Sequence, residues 1–153
     1  MKENGIMTSN HNEWSTPMSL FNKLNDEFHF TLDFCATKEN AKCAKFYTIE
    51  INALKQNPKG EVIFCNPPYT RIIQDFVRKL HALSKDNTIV LLLPCRTDTS
   101  YWHDCIINGD VEVRFIRGRV QFEGKNGKGE FIKGKPCTFP CAIVIFRPSS
   151  VCF

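Results

Sequence analysis

The stretch Val62-Ile63-Phe64-Cys65-Asn66-Pro67-Pro68-Tyr69 decides the fold of this chain. Its four apolar residues predict a buried strand, and the Asn and Pro residues that follow are typical of a turn that ends one. An amphipathic helix is predicted at 71–84, with an apolar face formed by Ile72, Ile73, Phe76, Val77, Leu80 and Leu83. This order places residues 66–69 outside the carboxyl end of a strand, where open α/β sheets bind ligands.

The residue types of the tetrapeptide 66–69 suit the binding of an amino group on a planar molecule. The side-chain oxygen of Asn66 and the backbone carbonyl of Pro67 can accept hydrogen bonds from the two protons of an –NH2 group. Such bonds free the nitrogen lone pair from conjugation with a ring and strengthen the amine as a nucleophile. Pro68 adds no competing N–H, and Tyr69 offers a flat face for stacking. An ordinary strand-ending turn has the same composition, so the tetrapeptide alone leaves both interpretations open.

Helices and strands alternate along the rest of the chain. Ser15-Thr16-Pro17 predicts a helix start, with Thr16 as N-cap and Pro17 at the first helical position. A short helix is predicted at 99–107, and strands at 30–34, 46–51, 61–65, 88–93, 111–115, 119–122 and 142–146. The segment 88–93 is nearly all apolar, as in a central parallel strand. We therefore predict an α/β fold of three layers, with a mostly parallel sheet and an antiparallel C-terminal end.

Length and composition indicate a single cytoplasmic domain. The 153 residues are enough for one core, and we predict a flexible leader at 1–12 and a single domain at 13–153. No apolar run reaches the ~18 residues of a transmembrane helix, and the N-terminus lacks the apolar core of a signal peptide. The eight cysteines include no C-x-x-C pair, which favours reduced, buried thiols and no metal.

Positive charge is concentrated in one segment, although the net charge is only +4. Residues 114–135 contain seven basic and two acidic side chains, interspersed with glycine. A flexible basic loop at 117–136, here called the basic loop, suits a phosphate backbone. A solvated, lysine-rich hairpin tip has the same composition, so charge alone does not separate the two interpretations.

Several motifs occur in a specific order. They are Glu13-Trp14-Ser15-Thr16-Pro17, Phe30-x-Leu32-Asp33-Phe34-Cys35-Ala36, Asn66-Pro67-Pro68-Tyr69, Leu92-Leu93-Pro94, Thr97-Asp98-Thr99 with Trp102, Gly118-Arg119-Val120-x-Phe122, and Phe139-Pro140. In this arrangement, residues 13–147 resemble the phage-type DNA N6-adenine methyltransferases, the compact Dam-like enzymes of phages and prophages. The resemblance implies a Rossmann-like methyltransferase fold, S-adenosylmethionine as methyl donor and adenine N6 in double-stranded DNA as acceptor. It also implies a phage or prophage enzyme that acts in the cytoplasm of a bacterial host.

The resemblance also implies roles for individual residues. The catalytic loop would consist of Asn66, Pro67, Pro68 and Tyr69, with Asn66 and Pro67 holding the amine and Tyr69 stacking on a flipped adenine. The cofactor would be bound by Trp14, Thr16, Pro17, Asp33, Ala36, Glu50 and Asn66, with Glu50 as the acid that holds the ribose after a second strand. DNA would be contacted by Arg117, Arg119, Lys125, Lys128, Lys133 and Lys135. The basic loop would also read the DNA sequence, because this length leaves no room for a separate recognition domain.

The chain departs from the family pattern at two places. Cys35-Ala36-Thr37 replaces the glycine-rich turn that often follows the first strand, and Asn66 stands where many adenine methyltransferases have Asp. Three alternatives stay open: a protein glutamine-amide methyltransferase, a cytosine-N4 methyltransferase and an inactive DNA-binding remnant. The basic loop favours nucleic acid over protein, and the intact tetrapeptide 66–69 argues against a remnant.

Overall fold

A five-stranded sheet forms the centre of the structure, a computed structural model that describes residues 15–125, 128, 130–134 and 136–149. Its strands are β1 (Leu32–Asp33), β2 (Val62–Cys65), β3 (Thr88–Pro94), β4 (Glu112–Phe115) and β7 (Cys141–Phe146). Strands β5 (Glu123–Lys125) and β6 (Phe131–Lys133) form a separate hairpin between β4 and β7 in the chain. The order across the sheet is β1-β2-β3-β7-β4. Strands β1 to β3 are parallel, and β7 runs antiparallel to both β3 and β4. The predicted α/β class, with a mostly parallel sheet and an antiparallel C-terminal strand, is confirmed.

Helices cover both faces of this sheet. They are α1 (Met18–Phe28), α2 (Ile73–Leu83) and α3 (Ser100–Trp102), with a π-helical turn at His103–Ile107 and a 3-10 turn at Ala53–Lys55. Along β3, Ile89 and Leu91 belong to the core beneath α2 and α3, whereas Val90 belongs to the core beneath α1. Burial on both faces explains why β3 is apolar at nearly every position. No helix among the residues described is long and apolar enough to cross a membrane.

Helix α2 forms where the apolar periodicity predicts it. Its buried side chains are Ile73, Phe76, Val77, Leu80 and Leu83. Each contributes about 1.5–3 kcal/mol when it is fully removed from water, so the helix is held firmly against the sheet. The helix begins at Ile73, a short turn after the tetrapeptide 66–69, and its packing therefore anchors the end of that loop.

Two predictions about local structure are wrong. Thr16 is not the N-cap of α1, because the helix begins at Met18 and Pro17 occupies the cap position without a side-chain cap bond. The extended backbone of Pro17, at ψ 134°, moves the start one residue later. The predicted strand 46–51 is reduced to one bridge between Phe46 and Asp33, after which the chain turns.

The predicted strand 119–122 also does not form. Its backbone carbonyls at Val120 and Phe122 accept hydrogen bonds from the N–H groups of Cys137 and Gly134. Between these two donors lies Pro136, which has no N–H. The missing donor prevents a regular ladder here, and regular pairing begins only with β5.

Candidate active site

The carboxyl ends of β1, β2 and β3 meet at one edge of the sheet. Asp33 is paired with Phe64 in the β1–β2 register, and Cys65 with Leu91 in the β2–β3 register. The loops that follow these strands therefore leave the sheet side by side. This edge brings the tetrapeptide 66–69 close to Asp33, as expected for ligand binding in an open α/β sheet.

Asn66 lies half-buried at this edge, next to the buried Pro67. The Asn66 amide makes no hydrogen bond with any residue that the structure describes. A half-buried amide without an internal partner is free to accept a hydrogen bond from a ligand. The structure thus leaves the Asn66 oxygen available for the role that the sequence predicts.

Tyr69 is held from both ends. Its hydroxyl donates a hydrogen bond of 3.0 Å to the carbonyl of Leu92 in β3. Its ring makes edge contacts with Phe122, at 5.9 Å between ring centroids and an interplanar angle of 75°, and with Phe139, at 5.8 Å and 66°. Burial raises the pKa of Tyr69 well above its usual value, so the phenol is neutral.

The guanidinium of Arg96 lies 5.6 Å from the centroid of the Phe139 ring, a cation–π contact. Together, Tyr69, Phe122, Phe139 and Arg96 are here called the aromatic cluster. Phe122 and Phe139 occur in the motifs that carry the family resemblance, but the sequence analysis gave neither of them, nor Arg96, a role at the site. The rings of the cluster meet edge to face at the end of the tetrapeptide, and an aromatic ring face is the kind of surface on which a base stacks.

Asp33 braces the loop that replaces the glycine-rich turn. Its side chain is 3% exposed, and its two oxygens accept backbone hydrogen bonds from Cys35, at 3.4 Å, and from Lys42, at 3.0 Å. Burial raises the pKa of Asp33 to about 6, against the lowering effect of these two bonds. The Asp33 carboxylate thus satisfies two backbone N–H groups of the loop that follows β1 and holds that loop in place.

The cysteines around this edge are unpaired thiols in the part of the chain that is described. Burial raises the pKa of Cys35 to about 12, and it raises the pKa of Cys65 well above the usual value. Thiols with such pKa values are poor nucleophiles and poor metal ligands. Among the described residues, no three His, Cys, Asp or Glu side chains are grouped so that they could hold a metal.

The N-terminal element lies against the hairpin. Ser15 forms an antiparallel bridge with Glu123, with hydrogen bonds of 2.6 and 2.9 Å. Thr16 is buried, and Pro17 lines an open cavity of about 260 Å³ together with Leu20, Val120, Glu123 and Lys133. Trp14, the remaining predicted cofactor residue of this element, and the predicted leader 1–12 lie outside the described residues.

Two further predicted cofactor residues follow β1. Ala36 is buried, and its N–H donates a hydrogen bond of 3.0 Å to the carbonyl of Tyr47. Glu50 is exposed in a turn, where the Thr48 hydroxyl lowers the pKa of its carboxyl group. The predicted strand 46–51, which includes Glu50, is reduced to the bridge at Phe46. The ribose role of Glu50 therefore stays a prediction without the strand on which it rested.

The basic loop includes the β5–β6 hairpin. Arg117, Arg119, Lys128 and Lys133 are exposed. Gly118, at φ +78°, has a left-handed backbone that other residues adopt only with strain. Lys135 and the side chain of Lys125 lie outside the described part of the structure. The basic loop thus presents four of the six predicted DNA-binding side chains to solvent.

Comparison with known proteins identifies the class to which this site belongs. The family described as DNA N-6-adenine-methyltransferase (Dam) matches residues 4–150. The chain is 27% identical over 154 residues to the DNA N-6-adenine-methyltransferase of Haemophilus phage HP1 (strain HP1c1), covering 98% of this chain and 87% of that protein. It is 30% identical over 131 residues to the DNA N-6-adenine-methyltransferase of Escherichia phage T1, covering 80% of this chain and 54% of that protein.

The chain therefore belongs to the DNA N-6-adenine-methyltransferase (Dam) family, and the resemblance read from its motifs is confirmed. Family membership makes it a methyltransferase that acts on adenine N6 in DNA.

Proposed function

We propose that the chain transfers the methyl group of S-adenosylmethionine directly to N6 of an adenine that is flipped out of double-stranded DNA. The observation that carries this proposal is the unengaged Asn66 amide beside buried Pro67, at the edge where β1 and β2 end. The order of the sheet, with antiparallel β7 between parallel β3 and β4, supports a Rossmann-like methyltransferase fold. We further propose that residues 13–153 form one domain that works in the cytoplasm of a bacterial host.

The residues at the end of β1 fit the methionine part of the cofactor. That part carries an ammonium group and a carboxylate, and the edge offers the buried carboxylate of Asp33 and the half-buried ammonium of Lys42. The Lys42 Nζ lies 3.0 Å from the sulfur of Met18, so it turns toward the start of α1 rather than away from the protein. When bound, S-adenosylmethionine supplies a methyl group on a positively charged sulfur.

The protein contributes orientation and hydrogen-bond acceptors. The Asn66 side-chain oxygen and the Pro67 carbonyl accept hydrogen bonds from the two N6 protons. These bonds free the nitrogen lone pair for attack in line with the methyl group. A neutral acceptor suffices, because the amine loses its proton only after the methyl group has been transferred. The adenine must leave the duplex stack to reach Asn66, and the aromatic cluster then gives it a surface on which to lie.

Transfer of labelled methyl groups from S-adenosylmethionine to unmethylated DNA, followed by nucleoside analysis, tests this function. We expect N6-methyladenine, and fully methylated DNA as a control should accept no label. N4-methylcytosine would keep the mechanism but change the base. No transfer to DNA with cofactor still bound would favour a protein amide substrate, and no cofactor binding would favour an inactive remnant.

Removal of the Tyr69 hydroxyl should have a mild effect. Tyr69→Phe loses the hydrogen bond to Leu92, which should lower the free energy of unfolding by about 1 kcal/mol, while the ring stays available for stacking. Tyr69→Ala removes the ring as well and should cost about 3 kcal/mol together with most of the activity. Urea unfolding and steady-state rates check both. A severe loss of kcat in a stable Tyr69→Phe variant would give the hydroxyl a direct role.

The basic loop should account for part of the salt dependence of DNA binding. Replacing both Lys125 and Lys128 by Gln should weaken binding and reduce the slope of log K against log salt by about 2, because each phosphate contact releases about one counterion. The variant with Lys23→Gln and Lys79→Gln removes the same charge from α1 and α2 and serves as the control. Equal slopes for both double variants would place the DNA away from this loop.

A further inference from the structure

A second polar cleft opens on the other side of the aromatic cluster, between the start of α2 and the start of α3. It has a volume of about 360 Å³, and its polar lining residues are Thr70, Arg71, Gln74, Arg96, Thr99, Ser100 and Tyr101. No acidic side chain lines it among the residues described. The cleft therefore combines two cations with hydroxyl and amide donors, which is the chemistry of an anion site.

The two arginines of this cleft form no ion pair with the described residues. Within the described ranges, neither Arg71 nor Arg96 has a carboxylate within 4.0 Å, whereas Arg78, Arg114 and Arg147 are all in ion pairs. Arg96 has its contact with the Phe139 ring, which leaves its N–H groups available. Two guanidinium groups without acidic partners therefore give this cleft a positive potential that attracts anions.

A buried hydroxyl points to the same conclusion independently. Tyr101 is 4% exposed and lines the cleft. Burial raises the pKa of its hydroxyl and the nearby Thr99 hydroxyl opposes that rise, but the geometry gives the Tyr101 hydroxyl no hydrogen-bond partner among the described residues. The neighbouring Thr99 hydroxyl donates instead to the Arg96 carbonyl, at 2.7 Å. A buried hydroxyl without a partner is costly and rare in folded proteins. An anion in the cleft would supply the acceptor that Tyr101 lacks.

The position of the cleft selects the anion. Thr70 and Arg71 directly follow Tyr69 of the catalytic loop. Arg96 is itself part of the aromatic cluster through its contact with Phe139. A nucleotide whose base lies on that cluster has its own sugar and phosphates a few ångströms away. We propose that this cleft binds a backbone phosphate of the DNA strand that carries the target adenine, an assignment that rests on the proposed function. Arg71 and Arg96 contact the phosphate oxygens, and the Tyr101 hydroxyl donates to one of them.

Such a site would hold one phosphate of the flipped nucleotide in place. Extrusion of a base rotates its backbone, and a phosphate held beside the pocket keeps the extruded base in register with Asn66. Nothing in this contact depends on the base sequence. The cleft therefore contributes affinity and positioning, while the reading of the sequence stays with other surfaces.

A scan with uncharged phosphates tests the assignment. Duplexes that contain one methylphosphonate at each position around the methylated adenine are bound to wild-type protein and to Arg71→Gln. We expect one phosphate at which neutralisation weakens wild-type binding about tenfold, as for a lost charge-assisted bond, and at which Arg71→Gln is insensitive. Lys79→Gln is the matched control, because it removes the same charge from α2 but Lys79 is bonded to Asn57 at 2.8 Å, outside the cleft.

A second variant separates binding from folding. Tyr101→Phe removes a hydroxyl that has no partner in the free protein, so its melting temperature should be unchanged or higher while its DNA affinity falls several-fold. Unaltered DNA affinity in Tyr101→Phe, or the same methylphosphonate pattern in Arg71→Gln and wild type, would overturn the proposal. Stabilisation of wild type by inorganic phosphate with no change in that pattern would make this a free-phosphate site and overturn the DNA assignment. Methyl transfer by wild type reports separately on the proposed function.

Discussion

Asn66→Ala is expected to lower the rate constant of methyl transfer by at least about 10²–10³-fold, the usual cost of one oriented transition-state hydrogen bond. The Asn66 amide has no partner among the described residues, so the lost acceptor is one that only the substrate uses. The interaction strengthens as positive charge develops on the adenine nitrogen, and its loss should therefore appear in kcat more than in KM.

The same lack of internal partners predicts that Asn66→Ala folds normally. Its melting temperature should stay close to that of wild type, and its affinity for S-adenosylmethionine reports separately on the cofactor contact that the family resemblance implies for Asn66. Asn66→Asp is the matched variant, since it keeps an acceptor oxygen at the same position and should retain much of the activity. Single-turnover methyl transfer by the three proteins measures the effect. Near-normal turnover in Asn66→Ala would show that another group holds the amine.

The frame of the fold could be predicted because its elements carry strong local signals. Helix α2 and strand β3 follow from helical periodicity and from an unbroken apolar run, and both depend little on partners elsewhere in the chain. The segment 46–51 has similar β-forming residues, but β1 is only two residues long and pairs with this segment at Phe46, so Ile49 and Ile51 lie exposed in the turn that follows. Strand propensity expresses itself only where a neighbouring strand offers a pleated surface.

The site could be predicted only in part. The tetrapeptide 66–69 is contiguous, so its chemistry is readable from the sequence. Phe122 and Phe139 join Tyr69 only because β7 returns antiparallel beside β3, and Arg96 joins them from the end of β3. Neighbours made by tertiary pairing leave no local pattern. The missing partner of Tyr101 is likewise a property of its surroundings rather than of its sequence.

Asp33→Asn is expected to change the pH dependence of stability more than any other single substitution at the site. The pKa of Asp33 is about 6 in the folded protein, and its ordinary value is 3.8. A folded-state pKa above the unfolded value means that the folded protein binds the proton more tightly. Its contribution to stability is therefore fully present below pH 3.8 and is lost as pH rises through about 6.

The size of this loss follows from the shift. Two pKa units correspond to about 3 kcal/mol, and screening by solvent is small because Asp33 is buried. Asn carries no charge at any pH, so the variant lacks this loss. It retains an acceptor oxygen for one of the two backbone N–H groups and leaves the other unpaired, a pH-independent cost of about 1–3 kcal/mol.

The free energy of unfolding of Asp33→Asn minus that of wild type should therefore rise by about 2 kcal/mol between pH 4 and pH 7, because part of the loss has already occurred at pH 4. Urea unfolding across this range measures the difference, in which the other titrating groups cancel. Asp26→Asn, which removes an exposed carboxylate from α1, is the matched control for the loss of one negative charge. Because Asp33 also faces the proposed cofactor site, the Asp33→Asn variant should bind S-adenosylmethionine more weakly at pH 7. A flat difference for Asp33→Asn would mean that this carboxylate ionises as an exposed one does, and unchanged cofactor affinity would confine Asp33 to bracing the loop.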